Sequence, residues 1–161
     1  MVVASDIMTK EVISLDVKRG LDYLIKLMAE SKVSSVLITE NDLVIGIVTE
    51  RDLIKKILLP RKDPSKLKLE DVMTKNVFSV RSDTPLYQIS QIMKDRCIRH
   101  MPVIDDGKLK GMLTQTDIVK ETHKIHKENI KIMNWQNIQS AIIILFFLFL
   151  ILYIIYNLQF G

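Results

Sequence analysis

The chain has 161 residues, of which 26% are charged and 48% hydrophobic, and its formal net charge at pH 7 is +4. This composition suits a globular protein, and the modest charge, with no long Lys/Arg run interleaved with aromatic residues, argues against nucleic-acid binding. The single cysteine, Cys97, cannot form an internal disulfide, and we interpret it as a packing residue rather than a reactive thiol.

The sequence contains an internal repeat with an offset of 65 residues. Twelve of the fifty positions from 6 to 55 are identical to their counterparts from 71 to 120. Each copy opens with the pattern Asp-x-Met-Thr-Lys-x-Val and closes with Gly-apolar-apolar-Thr-x-x-Asp. A gap-free repeat of this length predicts two copies of one structural unit.

Each copy predicts the element order β-α-β-β-α from its hydrophobic periodicity. In the first copy the predicted elements are a strand at Val12–Leu15, a helix from Leu21, strands at Val33–Thr39 and Leu43–Val48, and a helix from Thr49. In the second copy they are a strand at Val77–Val80, a helix after Pro85, strands at Ile98–Ile104 and Lys108–Leu113, and a helix from Thr114. Asn41-Asp42 and Asp106-Gly107 predict tight hairpin turns.

One copy alone would bury too little surface to be stable, so we expect an α/β fold in which the two copies pack together with pseudo-twofold symmetry. The predicted boundaries are residues 1–58 for repeat 1, 59–69 for a polar linker, 70–127 for repeat 2, 128–137 for a juxtamembrane helix and 138–158 for a transmembrane segment.

The C-terminal tail predicts a membrane anchor. Residues 132–161 carry no charged side chain, and residues 138–158 would form a helix about 31 Å long, close to the thickness of a bilayer's hydrocarbon core. Trp135, Tyr153 and Tyr156 stand where aromatic rings favour the interface. The lysines that precede the span predict a single-pass protein with its N-terminal body in the cytoplasm. A buried core helix or an oligomerisation helix is the alternative.

The Gly-x-x-Thr-x-x-Asp motif places a strand directly before a helix N-terminus, where free amide groups and the helix dipole attract anions. A threonine hydroxyl at this point can donate to a phosphate, and an aspartate one turn later can accept from a ribose. The glycine allows close approach of a ligand or a neighbouring backbone. Thr-x-x-Asp is also close to a helix capping box. The presence of two copies favours the ligand interpretation.

With these two motifs the sequence resembles a pair of CBS domains, the tandem unit also called a Bateman module, over about residues 1–127. The resemblance implies that an adenosine-containing ligand, such as AMP, ADP, ATP or S-adenosylmethionine, binds in clefts between the repeats. It implies regulation rather than catalysis, and no cofactor.

The resemblance also implies roles for residues in two clefts. In the first, Asp117 would hold the ribose, the phosphate would be bound by Thr114, Thr116, Arg99 and His100, and the adenine would be enclosed by Leu24, Thr39 and Met112. In the second, Asp52 and Thr49 would take the polar roles, and the base pocket would be lined by Ile47, Thr84, Ile89 and Ile104. Ser34 and Ser35 stand where the first cleft has its basic pair, although Arg51 could compensate. The Asp117 cleft is therefore expected to be the better phosphate site.

The leading hypothesis is a membrane-anchored regulatory module that signals to an unidentified protein partner and forms a homodimer through its repeats. The alternative is a membrane-tethered assembly adaptor with vestigial ligand sites. No catalytic motif supports an enzyme. His100, His123 and His126 lack the further ligands that a recognisable metal site requires.

Overall fold

The structure is a computed structural model that describes the backbone of residues 1–160 and the side chains of residues 1–149. The chain divides into two units, Met1–Ile118 and Val119–Gly161.

Two β-hairpins occupy equivalent positions in the first unit. Strands β2 (Ser35–Glu40) and β3 (Leu43–Thr49) form one, and β5 (His100–Asp105) and β6 (Lys108–Thr114) form the other. The residues of both turns have positive φ, between 49° and 77°, which short polar residues and glycine adopt most readily. Both hairpins also shift register at the same place, between Ile38 and Thr39 and between Val103 and Ile104. The hairpins predicted from the sequence are present in both copies.

The first strand of each copy differs in length. Strand β1 (Ser14–Asp16) pairs in parallel with β2 over three residues, whereas the predicted strand Val77–Val80 is reduced to a single bridge between Val80 and Val103. In the first copy the Leu37 amide donates to Ile13 O at 3.3 Å. Its counterpart in the second copy is Pro102, which has no N–H to donate, so the ladder cannot extend in the same way.

The helices follow the predicted periodicity. Helices α2 (Leu21–Ser31) and α5 (Leu86–Asp95) each bury one apolar face. Helix α3 (Glu50–Leu53) is short and continues as a π-helix over Ile54–Leu58, and a 3₁₀ turn at Pro64–Lys66 lies in the linker. Helix α6 (Gln115–Phe160) is the longest element of the structure.

The opening segments of the two copies are exchanged. Helix α1 (Ala4–Ile7), at the start of the first copy, packs into the core of the second copy, and Thr9 pairs with Met112 of β6. Conversely, helix α4 (Leu69–Val72) packs into the core of the first copy, and β4 (Thr74–Lys75) pairs with β3. The two packing units of the fold therefore do not coincide with the two sequence copies.

The exchange explains the glycine of each closing motif. A Cβ atom on Gly46 would lie 2.5 Å from Met73 Sδ, and one on Gly111 would lie 2.7 Å from Met8 Sδ and 2.8 Å from Thr9 O. These methionines belong to the opening motif of the other copy. Each glycine is thus required by a neighbouring segment of the protein.

A small apolar cluster of Leu37, Ile47 and Met112 joins the two hairpins and lies between the larger cores of the two halves. The larger cores contain Leu24 in the first half and Ile89 in the second, both without exposed surface. The two copies are therefore packed together, as the sequence predicts, and they share a central core.

The second unit consists of the helix from Val119 onward. Its apolar side chains are exposed as far as they are described, including Ile143 at 56% and Phe149 at 70%. Residues Gln115–Phe149 are long and apolar enough to cross a membrane. The side chains of residues 150–158 of the predicted span, with Tyr153 and Tyr156, lie outside the described residues.

Candidate functional site

One open cavity of about 540 Å³ lies where the two closing motifs meet. The first copy, together with β4 packed beside it, contributes Ser34, Ile47, Thr49, Glu50, Arg51, Asp52 and Thr74. The second copy contributes Cys97, Ile98, Arg99, His100, Thr114, Gln115 and Thr116. Both strand-to-helix junctions therefore face a single space.

Both Thr-x-x-Asp sequences form helix capping boxes in this structure. The Thr49 amide and hydroxyl donate to Asp52 Oδ2 at 3.0 and 2.6 Å, and the Asp52 amide donates back to Thr49 Oγ1 at 3.3 Å. Thr114 and Asp117 repeat this geometry at 2.9, 2.6 and 3.3 Å. Because each threonine hydroxyl already donates its proton to the aspartate, it can receive a hydrogen bond from a ligand more readily than it can donate one.

Asp52 has further partners on its other carboxylate oxygen. Thr74 Oγ1 donates to Asp52 Oδ1 at 3.2 Å, and Lys56 Nζ lies 3.3 Å from the same oxygen. Burial alone would raise the pKa of the Asp52 carboxyl group, but the hydrogen bonds from Thr49 and the charge of Lys56 together lower that pKa below its ordinary value. Asp52 is therefore an ionised carboxylate with partners on both oxygens.

Asp117 differs from Asp52 in this respect. Its Oδ2 completes the capping box, while within the part of the chain whose side chains are described its Oδ1 accepts no hydrogen bond. Asp117 is half-buried and does not line the cavity.

Positive charge in the cavity comes from Arg51 and Arg99, which are both exposed. Among the described residues neither arginine forms an ion pair. His100 Nε2 lies 2.9 Å from Ser34 Oγ of the other copy. Burial and the charge of Arg99 lower the pKa of His100, and Glu50 acts in the opposite direction. His100 is therefore neutral at pH 7 and offers a hydrogen bond rather than a charge.

A family model for the CBS domain matches residues 4–59 and 69–124, which together are more than half of the chain. The chain belongs to the CBS-domain family. The match covers both copies of the repeat, so this is a tandem CBS pair followed by a long apolar helix.

Several proteins are similar to this CBS pair. An uncharacterized protein of Methanopyrus kandleri is 39% identical over 88 residues, which cover 54% of this chain and 45% of that protein. A solved structure of a protein with CBS domains from Burkholderia ambifaria is 31% identical with a TM-score of 0.67, and the likeness covers 70% of this chain and 83% of that one. The chain spans about half the length of the curated relatives it matches.

A third likeness is to the CBS domain pair of protein MJ0100, solved in complex with 5′-methylthioadenosine and S-adenosyl-L-methionine. It has a TM-score of 0.69 and covers 76% of this chain and 97% of that one. At 23% identity this likeness shows the fold alone.

Half of the residues predicted to bind the ligand line the cavity of the CBS pair: Thr49, Asp52, Arg99, His100, Thr114, Thr116 and Ile47. The sequence assigned Arg99 and His100 to a cleft with Asp117, but the structure places both in the same cavity as Asp52. The reason is that the two copies face each other, so the segment before β5 lies across from the first copy's junction. The expected ranking of the two clefts therefore does not describe this cavity.

The other predicted residues lie elsewhere. They are Asp117, Leu24, Thr39, Thr84, Ile89, Ile104 and Met112. Leu24 and Ile89 have no exposed surface because they hold helices α2 and α5 onto their sheets, and Met112 belongs to the central cluster. Thr84 is half-buried, and its backbone carbonyl accepts from the Ala4 amide at 2.9 Å in the exchanged segment. In this structure, therefore, Leu24 and Ile89 cannot contact a base without repacking.

Sequence reasoning missed Thr74 as a site residue. Its hydroxyl contacts Asp52, and it belongs to the opening motif of the second copy rather than to either closing motif. The repeated Met-Thr pair was a usable signal, but only the exchange of the opening segments explains why it reaches the site. Glu50, Ile98, Gln115 and Cys97 also line the cavity without having been predicted.

Proposed function

We propose that this CBS pair is a membrane-anchored regulatory module that binds an adenosine-containing ligand in the cavity between its two copies. The observation that carries the proposal is that both strand-to-helix junctions line one cavity. Two arginines line the same cavity, and neither has an ion-pair partner among the described residues. A cavity of about 540 Å³ falls within the range of small-molecule sites.

Arg99 and the N-terminus of helix α6 form the anion-binding end of the proposed site. Helix α6 begins at Gln115, directly after Thr114 of β6. The cavity lining includes Thr114, Gln115 and Thr116 together with Arg99. A phosphate here would gain a charge-assisted hydrogen bond and a favourable interaction with the helix dipole. The neutral His100 can add a hydrogen bond without charge.

Asp52 supplies the ribose end of the proposed site. An ionised carboxylate can accept hydrogen bonds from both hydroxyls of a ribose, and Ile47 and Ile98 provide apolar surface in the same cavity. Binding of 5′-methylthioadenosine and S-adenosyl-L-methionine by a CBS pair of the same fold supports this ligand class.

The test is isothermal titration calorimetry of the full chain in detergent micelles with AMP, ADP, ATP and S-adenosylmethionine. We expect saturable binding of at least one of the four. If none of them releases or absorbs heat at any temperature tested, the sensing function is wrong, and the assembly adaptor becomes the better hypothesis. Homodimerisation and the protein partner remain predictions from the sequence.

We also propose that residues 138–158 cross a membrane and leave the CBS pair in the cytoplasm. The described apolar side chains of this segment are exposed, from Leu148 at 51% to Phe149 at 70%, and the segment carries no charge. Lys120, Lys124, Lys127 and Lys131 precede it, which satisfies the positive-inside rule.

Leu148 lies at the centre of the proposed span, so Leu148→Arg is expected to weaken insertion. A central arginine costs about 2.5–3.5 kcal/mol on insertion scales. In cells that express the full chain, the wild type and Leu148→Ala should remain in the membrane pellet after alkaline carbonate extraction, whereas a larger share of Leu148→Arg should appear in the supernatant. Release of the wild type by carbonate would show that the helix does not span a bilayer.

A further inference from the structure

Lys56 joins the proposed ribose-binding carboxylate to the exchanged segment. Its ammonium group donates to Val72 O at 2.6 Å and to Met73 O at 3.1 Å, and it lies 3.3 Å from Asp52 Oδ1. An ammonium group has three protons, and these three contacts use all of them. The side chain is 36% exposed, and that of Asp52 is 15% exposed, so this contact is partly shielded from water.

The Asp52 carboxylate has no vacant acceptor position in this arrangement. A carboxylate offers about four lone-pair positions. Two on Oδ2 receive the amide and hydroxyl of Thr49, and two on Oδ1 receive the Thr74 hydroxyl and the Lys56 ammonium. A ribose that donates to Asp52 must therefore displace a group that belongs to the protein.

We propose that Lys56 competes with the ligand for Asp52 and thereby sets the affinity of the site for the ribose. This inference rests on the proposed function and adds a regulatory contact to the same site. Lys56 can leave Asp52 without losing all its partners, because the carbonyl groups of Val72 and Met73 still hold it. Displacement is therefore a local rearrangement that does not require helix α4 to detach.

The second copy lacks this device. The position equivalent to Lys56 is Glu121, which cannot donate to carbonyl groups and would repel a carboxylate. Competition by a lysine is thus a property of the Asp52 junction rather than a general feature of the repeat.

Lys56→Met is expected to tighten the binding of adenosine about three- to tenfold, which is less than the effect of one hydrogen bond to a fully buried charged group because the pair is partly exposed. Adenosine is the chosen probe because it carries the ribose without a phosphate. The matched control is Lys55→Met, which removes the neighbouring exposed lysine. Lys56→Arg keeps the charge and is expected to retain the wild-type affinity. The measurement is calorimetry of the full chain in a nonionic detergent.

A salt titration of the wild type tests the same inference without a substitution. Salt screens the attraction between Lys56 and Asp52. The affinity of the wild type for uncharged adenosine should therefore rise between roughly 50 and 500 mM NaCl and approach the affinity of Lys56→Met. Equal or weaker adenosine binding by Lys56→Met, or a wild-type affinity that is independent of salt, overturns the inference while leaving the proposed function intact. Absence of adenosine binding to every variant also overturns the inference, and the proposed function falls with it only if AMP, ADP, ATP and S-adenosylmethionine fail to bind as well.

Discussion

Arg99→Gln is expected to weaken AMP binding about 10- to 100-fold and to leave the binding of adenosine nearly unchanged. Arg99 lines the cavity, and its backbone carbonyl accepts a hydrogen bond at 2.9 Å from the Gln115 amide at the N-terminus of helix α6. Among the described residues its guanidinium group has no carboxylate partner. A hydrogen bond to a charged group contributes about 1.5–3 kcal/mol, which corresponds to this loss of affinity. Only the ligand with a phosphate should be affected.

The control for Arg99 is Arg96→Gln, which removes a nearby guanidinium group that does not line the cavity. Arg96 lies 4.5 Å from the centre of the Phe78 ring, and its loss should change AMP affinity little. Calorimetry with AMP and adenosine on both variants gives four affinities. Equal losses for AMP and adenosine in Arg99→Gln would indicate a damaged fold, and an unchanged AMP affinity would show that the phosphate binds elsewhere.

Gly111→Ala is expected to destabilise the CBS pair by about 1–3 kcal/mol, the usual cost of overpacking a core. The new Cβ would lie 2.8 Å from Thr9 O, which is a backbone atom and cannot rotate away. Gly46→Ala is expected to cost less, because its nearest atoms all belong to the flexible side chain of Met73. The measurement is urea unfolding of the full chain in mild detergent, followed by hydrogen exchange of the β3 and β6 amides.

A double-mutant cycle tests whether Gly46→Ala destabilises the protein through the contact with Met73 or through an effect of alanine that does not depend on Met73. In Gly46→Ala/Met73→Ala the loss of stability should be smaller than the sum of the two single losses, because the shortened side chain removes the clash. Gly20→Ala is the control, since nothing lies within 4 Å of a Cβ at that position. Additive losses in the double variant would contradict the packing of the opening methionine on the glycine.

The glycines also show where sequence reasoning about the site was incomplete. From the sequence, the glycine before Thr-x-x-Asp could accommodate either a ligand or a neighbouring backbone. The structure shows that the neighbours are Met73, Met8 and the Thr9 carbonyl. The contact was not predictable because the contacting methionine lies 27 residues from Gly46 and 103 residues from Gly111 in the chain, and in each case it belongs to the other copy of the repeat.

The roles of Asp52 and Asp117 were likewise only partly predictable from the sequence. Their identical motifs predicted equivalent roles, and both do form capping boxes with a neighbouring threonine. Only Asp52 lines the cavity and contacts Lys56 and Thr74. The residue equivalent to Lys56 in the second copy is Glu121, which carries the opposite charge.

The sequence by itself determined the duplication, both hairpins, helices α2 and α5 and the family, because hydrophobic periodicity, turn residues and a gap-free repeat can be recognised without knowing the tertiary contacts. It did not determine that the first strand of the second copy would shorten to one bridge. The tertiary structure alone decided which segments were exchanged and which of two matching aspartates faced the cavity. Those outcomes depend on contacts between residues far apart in the chain, and the repeat gives each opening segment two possible partners that carry the same closing motif. Packing of the whole unit, rather than any local preference, selects between them.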